Sequence, residues 1–430
     1  MTRTTRTPNP PPPRRASTPA AATLVAWMVP LALVAAGCGG DAPGAASGIP
    51  EATVRDSAGV TIVENAPLPA DPPTWALGAE PLVGIGVLDG NPDYQLFRVQ
   101  DALRLDDGRV LVLNAGSHEV RVYGSEGTYQ ASWGGEGEGP GEFRSPGSLV
   151  PWPGDSVAVW DGGNQRLTLF GTDGALIRSF PLPAIEGVGL PGFQDVFPDG
   201  SAVVSAIEFG GEPTSGRVRL PVRLAVVDAE GALVGDLGAH PGTEAVMQIS
   251  ESAVNIFRSP YTRRYVLGTH GPQVIMAPSE HFELRFWTRS GDLARIVRLA
   301  ERPYVPTAAD RAAELDRRLQ DVPEERRAGI RTMYEELPIP DTLPAMAGVM
   351  VDELDHVWVE PFRLATADGP TRWIVLGPAG QVMATALLPR DMSVYQIGAD
   401  FVVGRVTDDL GVERVEVWPL RRPEATAVPD

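Results

Sequence analysis

The 430-residue sequence predicts an all-β fold, a six-bladed β-propeller with a short helical insertion between blades four and five. Three observations carry this expectation. Glycine (47) and proline (42) are spread along the whole chain, which favours many short strands joined by turns over long helices. Two stretches repeat, "DDGRVLVLNAGSHEVRVYGSEGTYQASWG" from Asp106 and "PGDSVAVWDGGNQRLTLFGTDGALIRSF" from Pro153; Val112, Asn114 and Gly127 each lie 47 residues ahead of Val159, Asp161 and Gly174. The third element of each copy is a pair of alternating apolar runs around a short turn closed by glycine. It recurs at Gly231, Gly291 and Gly380, and this is the pattern of a β-hairpin.

Taken in order, residues 1–37 read as a signal segment. A basic, proline-rich start precedes the apolar run Ala20 to Ala36, and "AAGC" ends in Cys38, the only cysteine. This ending resembles the bacterial lipobox, which implies a lipid on Cys38; a membrane-anchoring helix with a free thiol is the other reading. Gly39, where enteric inner-membrane lipoproteins have aspartate, implies by the same resemblance an envelope protein sorted to the outer membrane. Residues 38–52 are small and flexible and read as a tether; the stretch after Cys38 reaches about 40 Å at full extension.

The propeller is expected over 53–420. Five hairpins, each preceded by two further apolar runs, give five four-stranded units. "SVYQIGADFVVGRVTDDLGVERVEVWPL" (Ser393 to Leu420) supplies three more strands, and the segment near 82–86 is expected to add the fourth and close the ring. Residues 307–337 read as two helices. Thr307 can cap the first, Leu315 and Leu319 follow at i, i+4, and Ile330, Met333 and Leu337 form a second stripe ended by Pro338. Residues 421–430 are expected to be a disordered tail.

"WGGEGEGPGEFRSPG" (Trp133 to Gly147) raises the question of a phosphate loop. It contains no G-x-G-x-x-G, Pro146 and Gly147 oppose a helix start, and Glu136, Glu138 and Glu142 repel phosphate. The glycines instead let the chain turn from the outer edge of one blade to the inner strand of the next, with Phe143 free to wedge between sheets. The stretch with its continuation through "DSVAVWDGGNQRLTLF" resembles the NHL repeat, on Phe143, Asp161, Asn164 and Arg166. The whole layout is similar to the lipid-anchored six-bladed propellers of bacterial genomes. The resemblance implies a propeller whose site, if catalytic, lies in the central channel.

Composition narrows the chemistry. The chain has no lysine, so Schiff-base chemistry and a P-loop lysine are excluded, and one cysteine makes neither a disulfide nor a multi-thiolate metal site within the chain. The formal charge is −19, and the arginines ahead of Cys38 face no acids, so the body is more acidic still; nucleic acid is not an expected partner. The five histidines show no metal-ligand spacing and there is no G-x-S-x-G. Asp352, Glu353, Asp355 and Glu360 around His356 can assemble a calcium site, or form a turn with its acids facing water, which is the favoured reading; the cofactor is otherwise unknown.

In a meander of strands a to d from the centre outward, the a–b and c–d turns lie on one face and the b–c and d–a connections on the other. The long segments fall on the second face: Gly134 to Ser145, Ile207 to Arg217, Ala277 to His281, Arg363 to Pro370 and the insertion from Ala300 to Ala345. Arg144, Asp161, Asn164, Arg166, Glu119 and Glu142 lie on or near it, with Asp89, Asp93, Ser117 and His118. They read either as a rim gripping an envelope protein, peptide or glycan, or as turn caps with Arg166 paired to a neighbouring blade's acid. The expected function is non-catalytic binding by a lipid-anchored envelope protein. The alternative is a divalent-cation-dependent hydrolase or lyase, similar to lactonase or NHL-type lyase propellers.

Overall fold

The computed structural model describes residues 48–185, 189–208, 215–249, 254–257, 261–301, 303–320, 322–337 and 340–422; the signal segment, Cys38 and the residues after 422 lie outside the described residues. The strands form consecutive antiparallel meanders. The first comprises Val99–Arg104, Val110–Asn114, Glu119–Tyr123 and Tyr129–Gly134, and the second Pro146–Trp152, Ser156–Asp161, Arg166–Gly171 and Leu176–Pro181. The third runs Gly192–Val196, Ala202–Ile207, Gly216–Val227 and Leu233–Ile249, with Val254–Phe257 added at its edge. Val266–His270, Gln273–Ala277, Glu283–Thr288 and Leu293–Leu299 follow, then Met346–Val351, Val357–Pro361, Thr371–Leu376 and Val382–Leu388. The last meander joins Ser393–Ile397, Phe401–Thr407 and Glu413–Arg421 to Val83–Ile85 from near the start of the fold. The fold is a β-propeller.

Strand alternation explains how these sheets stack. Along Val110–Asn114, Val110 and Val112 enter a core with Val83, Ile85 and Val415, while Leu111 and Leu113 enter another with Leu149, Val157 and Val159. Successive side chains point to opposite faces, so a strand buried on both sides reads as an unbroken apolar run. Phe143 is fully buried between the first and second meanders and lies edge-on to Phe170.

The glycine of each tight outer turn does two things. Gly127, Gly174, Gly231, Gly291 and Gly380 all have φ between +78° and +97°. A Cβ on them would meet the outer strand of the preceding meander: Val83, Trp133, Phe180, the Asp236 backbone and Val297 respectively. Glycine therefore supplies both the left-handed turn and the close approach of neighbouring sheets.

Innermost strands are tied across sheets by side chains beside their bulges. Asp101 Oδ2 accepts from Leu149 N at 2.8 Å, Asp195 Oδ2 from Thr269 N at 2.7 Å, and Gln396 Oε1 from Arg104 N at 2.7 Å. Residues ahead of Val83 add strands that local patterning does not reveal. Thr53–Ser57 and Val60–Asn65 form a hairpin whose second strand pairs in parallel with Leu293–Leu299. Thr74–Leu77 bridges Val382–Leu388 and the end of Glu413–Arg421.

Two helices, α1 (Ala308–Leu319) and α2 (Glu324–Glu336), stand in the connection between Leu299 and Met346. Thr307 caps α1 in a capping box with Asp310. The buried side of α1 is largely polar: Asp310 binds Thr307, Tyr304 and Thr366, and Glu314 binds Arg317 and Arg318, beside buried Leu319. Among the described residues no helix is long and apolar enough to cross a membrane.

Candidate functional site

Of the rim residues named from sequence, Arg144, Asp161, Asn164, Arg166 and Glu142 come together around the glycine-rich connector, most of their polar atoms turned onto the chain. Asp161, at the end of its strand and fully buried, accepts from Arg144 N (2.9 Å), Ser145 N (2.8 Å), Gly163 N (2.9 Å) and Asn164 N (3.3 Å). Asn164 Nδ2 donates to Gly137 O at 3.0 Å, and Glu142 accepts from Gly139 N at 2.8 Å. Arg166 does not pair with an acid of a neighbouring sheet. Its guanidinium donates to the connector carbonyls of Glu138, Gly139 and Glu142, because the tight glycine turns leave those oxygens without ladder partners. The Arg144 side chain is exposed and pairs with Glu138 at 2.8 Å. Glu119 stands apart, accepting from Ser117, Arg121 and Ser132, and Arg121 in turn holds the carbonyls of Pro92 and Gln95.

Of the acids around His356, Glu353 and Asp355 are exposed in a turn, as expected, and Asp352 differs. Asp352 does not face water; its side chain is fully buried. It accepts from Leu354 N and His356 N at 2.9 Å each and from Trp358 Nε1 at 2.8 Å, contacts the His356 ring, and pairs with Arg422 at 2.9 Å. Burial alone would raise its carboxyl, but these donors and the Arg422 charge outweigh burial and hold it below its ordinary value. Arg422 stacks on Trp75, 4.5 Å from the ring centroid, and donates to Gly398 O. One arginine thus clasps the last two meanders and the bridging strand. Among the described residues no three acidic, histidine or cysteine side chains are grouped as metal ligands.

A different site lies beneath the insertion, on the face of the b–c and d–a connections. Its two limbs, near Tyr304 and Leu343, roof a cleft with two lobes of about 570 and 300 Å³ that share Tyr304, Leu343, Pro344, Pro361 and Phe362. Carboxylates predominate in the larger lobe, where Glu64, Glu280, Glu283 and Glu301 stand with Arg298 and His281. Arginines line the smaller: Arg363, Arg372 and Arg390, beside Asp368. Most of these charges are already engaged. Glu283 holds Arg285 and Arg298, each at 2.7 Å, Glu280 holds Arg219, and Arg390 donates to the carbonyls of Ala365 and Ala367. Glu301 and Arg372, one in each lobe, form no ion pair among the described residues. Sequence reading placed the insertion on this face but missed the cleft. Glu64, Glu280, Tyr304 and Phe362 come from four distant segments, and no local period joins them.

No known family model matches the chain, and no curated protein matches it. Among solved structures, it is similar to a putative exported protein from Bacteroides fragilis (11% identity, 84% of this chain and 100% of that one, TM-score 0.46). It is also similar to a member of the DUF4221 family from Bacteroides vulgatus (9% identity, 81% and 99%, TM-score 0.45) and to a catalytically inactive virginiamycin B lyase from Staphylococcus aureus (11% identity, 76% and 83%, TM-score 0.37). Likeness at this level transfers no chemistry, and the fold assignment stands on the sheet topology.

Proposed function

We propose that this chain is a lipid-anchored, six-bladed propeller of the bacterial envelope, with NHL-type repeats in its first blades, that acts by binding an extended peptide segment in the cleft beneath its helical insertion. Cyclic packing of turn glycines on preceding outer strands supports six blades, with Val83–Ile85 taking the place of the sixth outer strand. Cys38 is the proposed lipid site, and Cys38→Ala is expected to move the protein from the membrane to the soluble fraction.

The observation that carries the binding reading is the polarity of the cleft. A carboxylate without an ion pair among the described residues stands in one lobe, a guanidinium likewise in the other, and prolines and aromatic rings lie between. Such a channel suits a chain with a basic group at one end, a carboxylate at the other and apolar side chains between. The test is selection from a soluble pool of random short peptides with free termini on the immobilised, lipid-free protein, read by mass spectrometry. Enriched peptides are expected to carry basic residues toward one end and acidic residues toward the other. The double variant Glu301→Arg with Arg372→Glu is expected to enrich the reversed polarity. Equal recovery on the wild type and on Phe362→Ala, or retention of envelope glycan alone, would remove the peptide reading.

A further inference from the structure

A second cavity of about 510 Å³ lies at the helical insertion, within the size range of small-molecule sites. Its walls are aromatic and aliphatic: Tyr261, Leu315, Tyr334 and Leu337. Tyr261 is only 3% exposed, and its hydroxyl has no hydrogen-bond partner. A buried hydroxyl left without a partner is disfavoured, so groups of this kind are uncommon unless something outside the chain satisfies them. The hydroxyl oxygen of Tyr334 accepts from Arg318 at 2.8 Å, whereas the Tyr261 hydroxyl neither donates nor accepts. Burial pushes the Tyr261 phenol up to about 12, so at neutral pH it is protonated and offers a hydrogen.

At the rim stand Arg311 on α1 and Arg331 on α2, both exposed and neither in an ion pair among the described residues. Asp316 and Glu335 line the same cavity. Two guanidinium groups attract an anion, while two carboxylates beside them oppose a group carrying two negative charges. The rim therefore favours one carboxylate over a phosphate, and the apolar walls require an apolar body behind it.

We infer that the cavity between α1 and α2 is a binding site for a small amphipathic monocarboxylate, whose charged end meets Arg311 and Arg331 and whose acceptor satisfies the Tyr261 hydroxyl. The site is independent of the peptide cleft, although Tyr261 packs edge-on to Phe362, a residue of the cleft wall, at 6.3 Å between centroids.

The test uses 4-phenylbutyrate, its neutral amide and phenyl phosphate as probes, titrated calorimetrically into the lipid-free protein. The carboxylate is expected to bind saturably with Kd below about 1 mM, and the amide and phosphate about tenfold or more weaker. Tyr261→Phe removes only the hydroxyl, which has no hydrogen-bond partner in the fold, so its melting temperature is expected to be unchanged while affinity falls about 5- to 20-fold. Arg311→Gln with Arg331→Gln is expected to abolish the preference for the acid over the amide. No saturation by 4-phenylbutyrate at about 10 mM would overturn the inference. So would binding that both variants retain in full, or an amide that binds as well as the acid.

Discussion

Replacing Asp101 with asparagine should flatten the dependence of stability on pH. Asp101 lies on the innermost strand of the first meander, partly buried, its oxygens accepting from Ala102 N at 2.9 Å and Leu149 N at 2.8 Å. Burial raises its carboxyl from 3.8 to about 7, against the lowering effect of those two amides. Between about pH 4 and 7 the folded chain therefore keeps a proton that the unfolded chain has released. Stability conferred by the protonated group falls as pH rises through this window and is level above it. At 1.36 kcal/mol per pH unit the whole window is worth about 4 kcal/mol, of which about 3 kcal/mol falls between pH 5 and 8. Asp195 is raised by burial in the same direction. His270, whose imidazole burial pushes below its ordinary value, acts oppositely, its contribution growing as pH rises toward 6.5. Asp199, held near 2 chiefly by Arg289, and Asp352 contribute stability above the ordinary carboxylate range that is lost only below it. Subtracting the Asp101→Asn curve from the wild type cancels these shared terms. The assay is urea unfolding at intervals from pH 5 to 8. The wild type should lose about 3 kcal/mol more than the variant on going up the series, whatever constant penalty the misplaced amide adds. Parallel curves would refute a carboxyl protonated by burial.

Two further substitutions probe the architecture. Arg422→Ala leaves the Asp352 carboxylate buried without its cation and should destabilise by about 3–5 kcal/mol, read as a drop in urea midpoint at pH 7; an unchanged midpoint would show that the clasp holds nothing. Gly174→Ala puts a Cβ 2.3 Å from Trp133 Nε1 at φ +88°, whereas Gly154→Ala at φ +78° meets open space. Both should lose about 1–2 kcal/mol from backbone conformation, and Gly174→Ala about 1–3 kcal/mol more; equal losses would separate the turn glycine from sheet packing.

The β-rich propeller was legible because its grammar is local. The run Val110–Asn114 is apolar throughout, since its two faces serve two cores, and glycine closes each outer turn where φ is positive. What sequence did not disclose depends on partners far along the chain. Nothing in "TVRDS" (Thr53–Ser57), exposed at every position, marks it as the edge of a sheet whose four inner strands begin at Val266. Asp352 looked like one more acid in a turn because its partners, Arg422 above all, arrive from 70 residues later. Arg166 was matched to a carboxylate by charge, whereas the connector offered carbonyls whose lack of ladder partners follows only from the folded loop.

The parallel pairing of Val60–Asn65 with Leu293–Leu299 has a practical corollary. Thr53, opposite Glu64, enters the body at the end of the sheet that carries the helices and the cleft, while Glu413–Arg421 leaves at the opposite end. Handles fused before Thr53 and after Arg422 would therefore orient the same molecule in opposite senses on a sensor surface. A carboxy-terminal handle leaves the cleft facing the analyte, and an amino-terminal one turns it toward the chip.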